Sequence, residues 1–150
     1  MVSQTNEVAD RVALRALVDA YALAADAKRY RDMADCFTDD ATFTMYMTPG
    51  DDQPTSVHTG SAEIEAAMAS LDAFVATTHL VGAQAVELDE DGARGEATCV
   101  ARHVLVRPKG RKMLTMGIRY QDRFVRQGGQ WLIAERRLVV QWQEFRPMEG

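Results

Sequence analysis

Four long segments of alternating polar and apolar residues occupy the second half of the chain, and they constrain its fold more than any other feature. The alternation runs over residues 76–88, 94–107, 112–126 and 131–144. Short turns that contain glycine separate the segments: Asp89-Glu90-Asp91-Gly92, Pro108-Lys109-Gly110 and Gln127-Gly128-Gly129. A period of two is typical of β-strands, and turns of this kind are typical of hairpins. The pattern therefore predicts an antiparallel meander of long strands.

The first half of the chain has helical periodicity instead. A first helix is predicted to begin near Ser3 or Asn6 as its cap and to end at Asp26. Its apolar face consists of residues four positions apart, with three more apolar residues alongside: Val8, Val12, Ala16, Ala20 and Ala24, then Ala13, Leu17 and Tyr21. A shorter helix is predicted over residues 30–37. A third helix, capped by Ser61, is expected to turn three apolar side chains inward: Ile64, Met68 and Leu71.

These elements together predict an α+β fold. A strand over residues 41–46 and a loop over residues 49–54 lie between the second and third helices. Helices followed by a meander place the helices on one face of the sheet, and long strands twist and curl. We therefore expect one domain over residues 1–150, a cone whose sheet and helices enclose a pocket. In the second long strand, the expected pocket face carries small residues and one histidine: Gly95, Ala97, Cys99, Ala101, His103 and Leu105.

Charge and motif content disfavour several classes of function. Lys and Arg number 17 against 22 Asp and Glu, so the net charge of −5 disfavours nucleic acids and anionic membranes as partners. No apolar run approaches the roughly 20 residues of a transmembrane helix, and the polar start lacks the apolar core of a secretory signal. Cys36 and Cys99 are predicted to be reduced and buried, which indicates the cytoplasm. No metal-ligand cluster, phosphate-binding loop or nucleophile elbow occurs, so we expect neither a metal nor a cofactor.

Three polar residues, Asp26, His79 and His103, stand out because their neighbours on the same face are apolar, and Tyr21 is expected to point the same way as Asp26. Asp26 ends the first helix, Tyr21 precedes it by about one and a half turns, and His79 and His103 lie on predicted strands. A neutral imidazole is a good general base near neutral pH, and a carboxylate on its other nitrogen stabilises the imidazolium that forms. A phenol or a second imidazole can then donate to an oxygen on which charge develops. Taken singly, each residue also has a structural interpretation, as a helix cap, a strand histidine or a core aromatic.

Three stretches resemble SnoaL-like proteins of the nuclear transport factor 2-like superfamily, and the resemblance extends over nearly the whole chain. They are Tyr21-Ala22-Leu23-Ala24-Ala25-Asp26, then Cys36-Phe37-Thr38-Asp39-Asp40-Ala41-Thr42-Phe43 with Gly60 opening a helix, and finally Tyr120-Gln121-Asp122-Arg123-Phe124 with Gly129-Gln130-Trp131-Leu132-Ile133-Ala134. The resemblance implies a cone of curved antiparallel sheet with three helices, often assembled as a dimer or trimer. It implies the fold more strongly than the function, because this superfold hosts many chemistries.

The resemblance also implies a set of catalytic residues. Asp26 and His79 fall where scytalone dehydratases, bile-acid dehydratases and hexachlorocyclohexane dehydrochlorinases have an Asp–His pair. His103 matches a second catalytic histidine of the scytalone dehydratases, and Tyr21 matches a tyrosine of the bile-acid dehydratases. The proposed base dyad is thus shared by three kinds of lyase.

Contacts to the substrate are expected from four further residues: Tyr46, Met116, Tyr120 and Arg136. Arg136 is the counterpart of an arginine on the last strand of the dehydrochlorinases, and Tyr46 is adjacent to the position of a substrate-binding tyrosine in scytalone dehydratases. The chain departs from its relatives at Ala25, where scytalone dehydratases have a tyrosine, and at Tyr21, where the dehydrochlorinases have a lysine. The groups that recognise the substrate therefore match no single relative.

The predicted function is that of a cofactor-independent lyase, of dehydratase type, which acts on a small, cyclic, mostly apolar molecule. His79 would remove a proton from carbon, Asp26 would orient it, and Tyr21 or His103 would assist an oxygen. An isomerase or cyclase that uses the same proton abstraction is the nearest alternative. A non-catalytic ligand-binding protein and the small subunit of a ring-hydroxylating dioxygenase are the others. Apolar outward residues such as Val100 and Val104 predict a homodimer or homotrimer with packed sheets.

Overall fold

The structure, a computed structural model, describes residues 4–149. Within that range three α-helices precede or interrupt the strands: α1 (Gln4–Asp26), α2 (Tyr30–Ala34) and α3 (Ser61–Met68). A 3₁₀-helix over Ala69–Ala73 continues directly from α3. The strands are β1 (Phe37–Tyr46), β2 (Ser56–Thr59), β3 (Ala76–Leu88), β4 (Ala93–Arg107), β5 (Gly110–Gln127) and β6 (Gln130–Pro147). None of the helices within residues 4–149 is long and apolar enough to cross a bilayer.

All six strands form one curved sheet in the order β2-β1-β6-β5-β4-β3. The predicted meander is confirmed, because β3, β4, β5 and β6 pair antiparallel in succession. The expectation of an all-antiparallel sheet is wrong, since β1 pairs parallel with β6. The chain leaves β1, completes the meander and returns alongside β1 in the same direction. The four-residue strand β2, which sequence patterning did not predict, pairs antiparallel with β1 and closes this side of the sheet.

The buried face of α1 differs from the predicted one. Val8 and Val12 are 63% and 65% exposed. The side chains of α1 that belong to the buried core are Leu14, Val18, Tyr21, Ala24 and Ala25, so Ala24 of the predicted face is buried as expected. Two apolar stripes run along this helix, and the sheet packs against the one with the larger side chains because it buries more apolar area. Of the two predicted caps, Asn6 lies inside the helix and Ser3 lies outside the described residues.

The segments around β1 and α3 are also shifted from their predicted bounds. Helix α2 ends at Ala34, and β1 begins at Phe37 instead of at residue 41, since Phe37 and Thr38 are buried in the sheet. The residue that precedes α3 is Gly60, so Ser61 is the first helical residue and not the cap. The Glu63 carboxylate accepts a hydrogen bond from the Thr59 main-chain N–H at 2.8 Å, which supports the start of this helix.

The predicted pocket face of β4 points inward in the structure. Ala97, Cys99, Ala101, His103 and Leu105 are buried, while Gly95 is half-buried beneath the ring of Phe124. The regular pairing shifts in β3 between Val81 and Gln84, and in the β5–β6 pair beside Gly117 and beside Arg123. Such bulges bend strands, so they curl the sheet around the helices. Of the predicted pocket face of β4, His103 lines the cavity described below, whereas Ala97, Cys99 and Ala101 are packed in the core.

Candidate active site

Asp26 and His79 form a hydrogen-bonded pair where the end of α1 meets β3. Asp26 Oδ1 lies 2.7 Å from His79 Nδ1. The same carboxylate accepts the Thr77 hydroxyl on Oδ1 and the His79 main-chain N–H on Oδ2, each at 2.9 Å. Three donors therefore hold the carboxylate, and the strand that carries the imidazole also orients its partner.

This arrangement determines which ring nitrogen is available for chemistry. Because an ionised carboxylate can only accept, Nδ1 of His79 carries the hydrogen in the neutral imidazole. The acceptor lone pair is then on Nε2, and His79 lines the cavity described below. The side chain of His79 is 7% exposed, whereas that of Asp26 is 27% exposed. The pair thus consists of an imidazole at the cavity wall and a carboxylate behind it.

A cavity of about 250 Å³ lies between the sheet, α3 and the 3₁₀-helix. Its wall is mainly apolar and rich in methionine: Met33, Met45, Met47, Ala67, Met68, Leu71, Ala73, Phe74, Leu114, Met116, Ile118 and Leu138. The polar side chains that line it are Tyr21, Ser70, His79, His103 and Tyr120. None of the described lining residues is Lys, Arg, Asp or Glu. The cavity therefore suits a small uncharged molecule that has polar groups at one side.

His103 faces the same cavity from β4. It is 5% exposed, and neither ring nitrogen has a hydrogen-bond partner among the described residues. Its ring centroid lies 4.4 Å from that of Phe74 and 5.3 Å from that of His79. Burial, with a smaller effect from His79, lowers the pKa of His103 to about 4. His103 is therefore neutral at pH 7 and presents an unused donor and an unused acceptor to a ligand.

Tyr21 approaches the cavity from α1. Its hydroxyl contacts the Met68 sulfur at 3.7 Å, and its side chain is buried. Burial raises the pKa of Tyr21 to about 12, although the nearby Arg136 acts in the opposite direction. The phenol therefore keeps its proton at neutral pH and can donate it to an oxygen of a bound molecule.

Arg136 lies behind the cavity instead of lining it. Its guanidinium stacks on the rings of Tyr21 and Tyr120, with centroid distances of 4.4 and 4.1 Å. It also makes a bidentate pair with Asp122, at 2.7 and 2.8 Å. Burial alone would lower the pKa of Arg136, but the Asp122 carboxylate outweighs burial and raises it. From the sequence, Arg136 was expected to contact the substrate directly. In the structure it packs instead behind Tyr21 and Tyr120, the two aromatic residues that do line the cavity.

The structure does not bring Tyr46 to this cavity, and its expected substrate contact stays a prediction. Alternation along β1 places Met45 in the cavity wall and Tyr46 on the opposite face of the sheet. There the Tyr46 ring lies 4.9 Å from the guanidinium carbon of Arg137. The two other expected contacts, Met116 and Tyr120, both line the cavity.

Sequence analysis missed several residues of this site. Thr77 holds the Asp26 carboxylate, and its position two residues before His79 on the same strand face was an available signal. Asp122 has a similar signal, since it shares the buried face of β5 with Tyr120 and Phe124. Nothing in the local sequence indicates that Phe74 would stack on His103, because that contact depends on the path of the chain after α3.

Cysteine thiols and metal-binding side chains are the other groups within residues 4–149 that could carry chemistry. Cys36 and Cys99 are free and buried, as predicted, and burial raises the pKa of each thiol to about 11. Both thiols are therefore protonated at neutral pH and are poor nucleophiles. Within residues 4–149 there is no group of three or more His, Cys, Asp or Glu side chains arranged to hold a metal ion.

A curved mixed sheet with three helices around one pocket defines the nuclear transport factor 2-like class of α+β proteins. Within that class the chain belongs to the SnoaL-like domain family, whose model matches residues 6–137. No curated protein sequence matches the chain.

Three solved structures illustrate what this chain is similar to. Rv3472 of Mycobacterium tuberculosis, a protein of unknown function solved as an Asp-to-Asn variant, is 28% identical, with a TM-score of 0.76 over 93% of this chain and 76% of that one. A provisionally assigned scytalone dehydratase from Novosphingobium aromaticivorans is 15% identical, with a TM-score of 0.81 over 99% and 93%. A hexachlorocyclohexane dehydrochlorinase, LinA type 2, is 18% identical, with a TM-score of 0.81 over 99% and 95%. At these identities, the last two show the shared fold.

Proposed function

We propose that this protein is a cofactor-independent lyase of dehydratase type, in which the Asp26–His79 pair removes a proton from a carbon atom of its substrate. The observation that supports this proposal is the 2.7 Å bond between Asp26 Oδ1 and His79 Nδ1 at the wall of a mainly apolar cavity. An imidazole that is paired with a carboxylate suits acid–base catalysis, whereas an apolar side chain would be enough to fill a core.

The proposed reaction follows from the positions of the polar groups. His79 Nε2 takes a proton from the carbon next to one that carries a hydroxyl group, and Asp26 stabilises the imidazolium that forms. The electron pair of the broken C–H bond forms a carbon–carbon double bond, and the hydroxyl group leaves. It departs as water with the proton from His79, so the dyad returns to its starting state and nothing is oxidised or reduced.

Tyr21 and His103 are the proposed donors to oxygen. Both are neutral at pH 7, both line the cavity, and neither donates to an oxygen or nitrogen of the described residues. Donors that are already in place in a dry cavity stabilise developing negative charge without having to reorganise. We assign them to the substrate oxygens, either a carbonyl that acidifies the C–H bond or the departing hydroxyl group.

The proposed substrate is a small, uncharged ring compound with oxygen at one side. A cavity of about 250 Å³ limits its size, and the methionine-rich wall favours apolar rings. A carboxylate or phosphate group would be buried here without a cationic partner, which is costly. A β-hydroxy ketone on one ring or two fused rings satisfies these limits.

The test is a panel of cyclic β-hydroxy ketones, assayed for loss of water by absorbance of the conjugated product. Wild-type protein is compared with His79→Ala, and thermal melts verify that the variant folds. A folded His79→Ala variant with wild-type turnover would refute the dyad mechanism. Deuterium on the abstracted position distinguishes the nearest alternative: an isomerase returns the label to the product, whereas a lyase releases it.

A further inference from the structure

Two of the sheet's exposed edges are protected against pairing with other chains. Along β3, Arg11 donates to the Val86 carbonyl and Arg15 donates to the Gly82 carbonyl, each at 2.6 Å. A bulge between Val81 and Gln84 further interrupts that edge. On the opposite side β2 is only four residues long. Proteins prevent edge-to-edge association of sheets by covering the edge, by bulges and by short edge strands. Here the guanidinium groups cover the carbonyl groups of the β3 edge.

The last part of β6 carries a bulge at Gln141 and two charged side chains, Glu144 and Arg146, but among the described residues no arginine side chain covers its carbonyl groups. Pairing with β1 ends at Tyr46 opposite Val139, so the β6 edge beyond this point has no strand beside it among the described residues. All residues from 141 to 147 are exposed. Two of them are large and aromatic, Trp142 at 48% and Phe145 at 55% exposure. An unpaired edge with exposed aromatic side chains is unusual unless another strand covers it.

The pairing with β5 shows which backbone groups face outward. Met148 N–H donates to the Arg111 carbonyl at 2.9 Å, so even-numbered residues of this segment face β5. Because N–H and C=O directions alternate along a strand, the odd-numbered residues point their N–H and C=O groups to the free edge. These are Gln143, Phe145 and Pro147, and the last of them has only a carbonyl to offer.

We propose that residues 143–147 of β6 pair antiparallel with the same segment of a second copy of this chain, centred on Phe145. In that register Phe145 lies opposite the partner's Phe145, and their outward N–H and C=O groups bond to each other. Gln143 N–H meets the carbonyl of the partner's Pro147, so the missing N–H of proline is not needed there. The pairing joins two sheets into one.

In this register, charged side chains of one copy lie opposite side chains of the opposite charge on the other copy. Glu144 lies opposite the partner's Arg146, and Arg146 lies opposite the partner's Glu144. A register shifted to centre on Glu144 would place two carboxylates opposite each other, which is unfavourable. Within one chain Glu144 and Arg146 already pair with each other, and both are exposed. The two charges therefore favour pairing with a second copy of this chain, and they select the register centred on Phe145 over the one centred on Glu144.

The proposed pairing would lie next to the wall of the cavity. Phe145 lies opposite Leu114 on the cavity face, and Leu114 lines the cavity. The added strand would extend the sheet beside that wall and cover the exposed Phe145 ring. Assembly through this edge would not depend on the reaction proposed above.

Sedimentation equilibrium across the micromolar range tests the proposal. Wild-type protein should form a dimer. Gln143→Pro removes an outward N–H without removing a bond to β5, so it should raise the dimer dissociation constant about tenfold or more, whereas Gln143→Ala should not. Glu144→Arg or Arg146→Glu alone should also weaken the dimer, and the two changes combined should restore it. Monomeric wild-type protein, or an oligomer insensitive to all of these changes, would overturn the proposal; the latter would indicate packing through sheet faces.

Cysteine crosslinking checks the register independently of stability. Directly opposite residues in a hydrogen-bonded antiparallel pair have Cα atoms about 5.5 Å apart, a distance that a disulfide spans. Phe145→Cys should therefore give a covalent dimer on mild oxidation. Val106→Cys is the matched control, because Val106 is similarly exposed at 59% but lies at the β4–β5 hairpin. Equal crosslinking of the two variants would contradict the assigned edge.

Discussion

Replacing Asp26 with Asn is the most informative change in the proposed site, because it keeps the shape of the side chain and alters only its donors and acceptors. The carboxylate accepts His79 Nδ1 and the Thr77 hydroxyl on one oxygen and the His79 main-chain N–H on the other. An amide has a single oxygen. The main-chain N–H can only donate, whereas the imidazole can change tautomer and the Thr77 hydroxyl can rotate, so the amide oxygen should face the main chain.

The amide NH₂ group then faces His79 Nδ1 and requires an acceptor there. The imidazole hydrogen moves to Nε2, the nitrogen that should accept the substrate proton, and the negative charge that stabilised the imidazolium is gone. General-base catalysis contributes about 10²–10⁴-fold to rate. At about 1.36 kcal/mol per tenfold, the loss corresponds to roughly 2.7–5.4 kcal/mol of activation free energy. We expect Asp26→Asn to lose turnover within this range and His79→Ala to lose slightly more.

The assay is turnover of the best substrate from the panel by the two single variants and the double variant. Residues that act as one unit are non-additive, so the double variant should be little worse than His79→Ala. Thr77→Val is the matched control, since it removes one donor to the carboxylate without changing the tautomer, and it should cost less than Asp26→Asn. Fully additive losses, or an Asp26→Asn variant as active as wild type, would refute the reasoning.

Three further predictions concern stability, pH and metals. Asp122→Ala should destabilise the protein by about 3–5 kcal/mol in denaturant unfolding, because it leaves the buried Arg136 guanidinium without its partner; a loss below 1 kcal/mol would contradict this. His103 has a folded-state pKa of about 4, below its unfolded value, so the unfolded chain takes up the proton first and stability should fall as pH drops from about 6.5 towards 4. His103→Phe should reduce that slope, and an unchanged slope would count against the assignment. Activity should survive EDTA, and loss on chelation with recovery on adding one metal would show that a metal site had been missed.

Much of the fold could be predicted because its signals are local. The four long strands and their hairpins follow from alternation and glycine turns, and the structure reproduces β3–β6 within three residues at each boundary. The small-residue face of β4 was also predictable, since parity along a strand is a local property. By contrast, the parallel pairing of β1 with β6 joins segments about ninety residues apart, and no local pattern specifies it.

The candidate site shows the same division. Resemblance to a family indicated Asp26 and His79, and the structure places them in hydrogen-bonding contact. Tyr46 and Arg136 were expected at the substrate for the same reason, yet the first lies on the other face of the sheet and the second lies behind two aromatic rings. A shift of one residue along β1 reverses the face of a side chain, so likeness in position does not determine which residue enters the cavity.

The sequence by itself determined the four long strands, their turns and the helical first half, and it indicated Asp26 and His79 as candidates, because each depends on residues close together or on motifs shared with relatives. Only the tertiary structure decided which of two apolar stripes of α1 is buried, since the choice depends on the sheet that packs against it. It also decided that neither ring nitrogen of His103 has a hydrogen-bond partner within residues 4–149 and that Arg136 pairs with Asp122. Burial and pairing are properties of the assembled core: a side chain loses water and gains partners only when distant segments close around it.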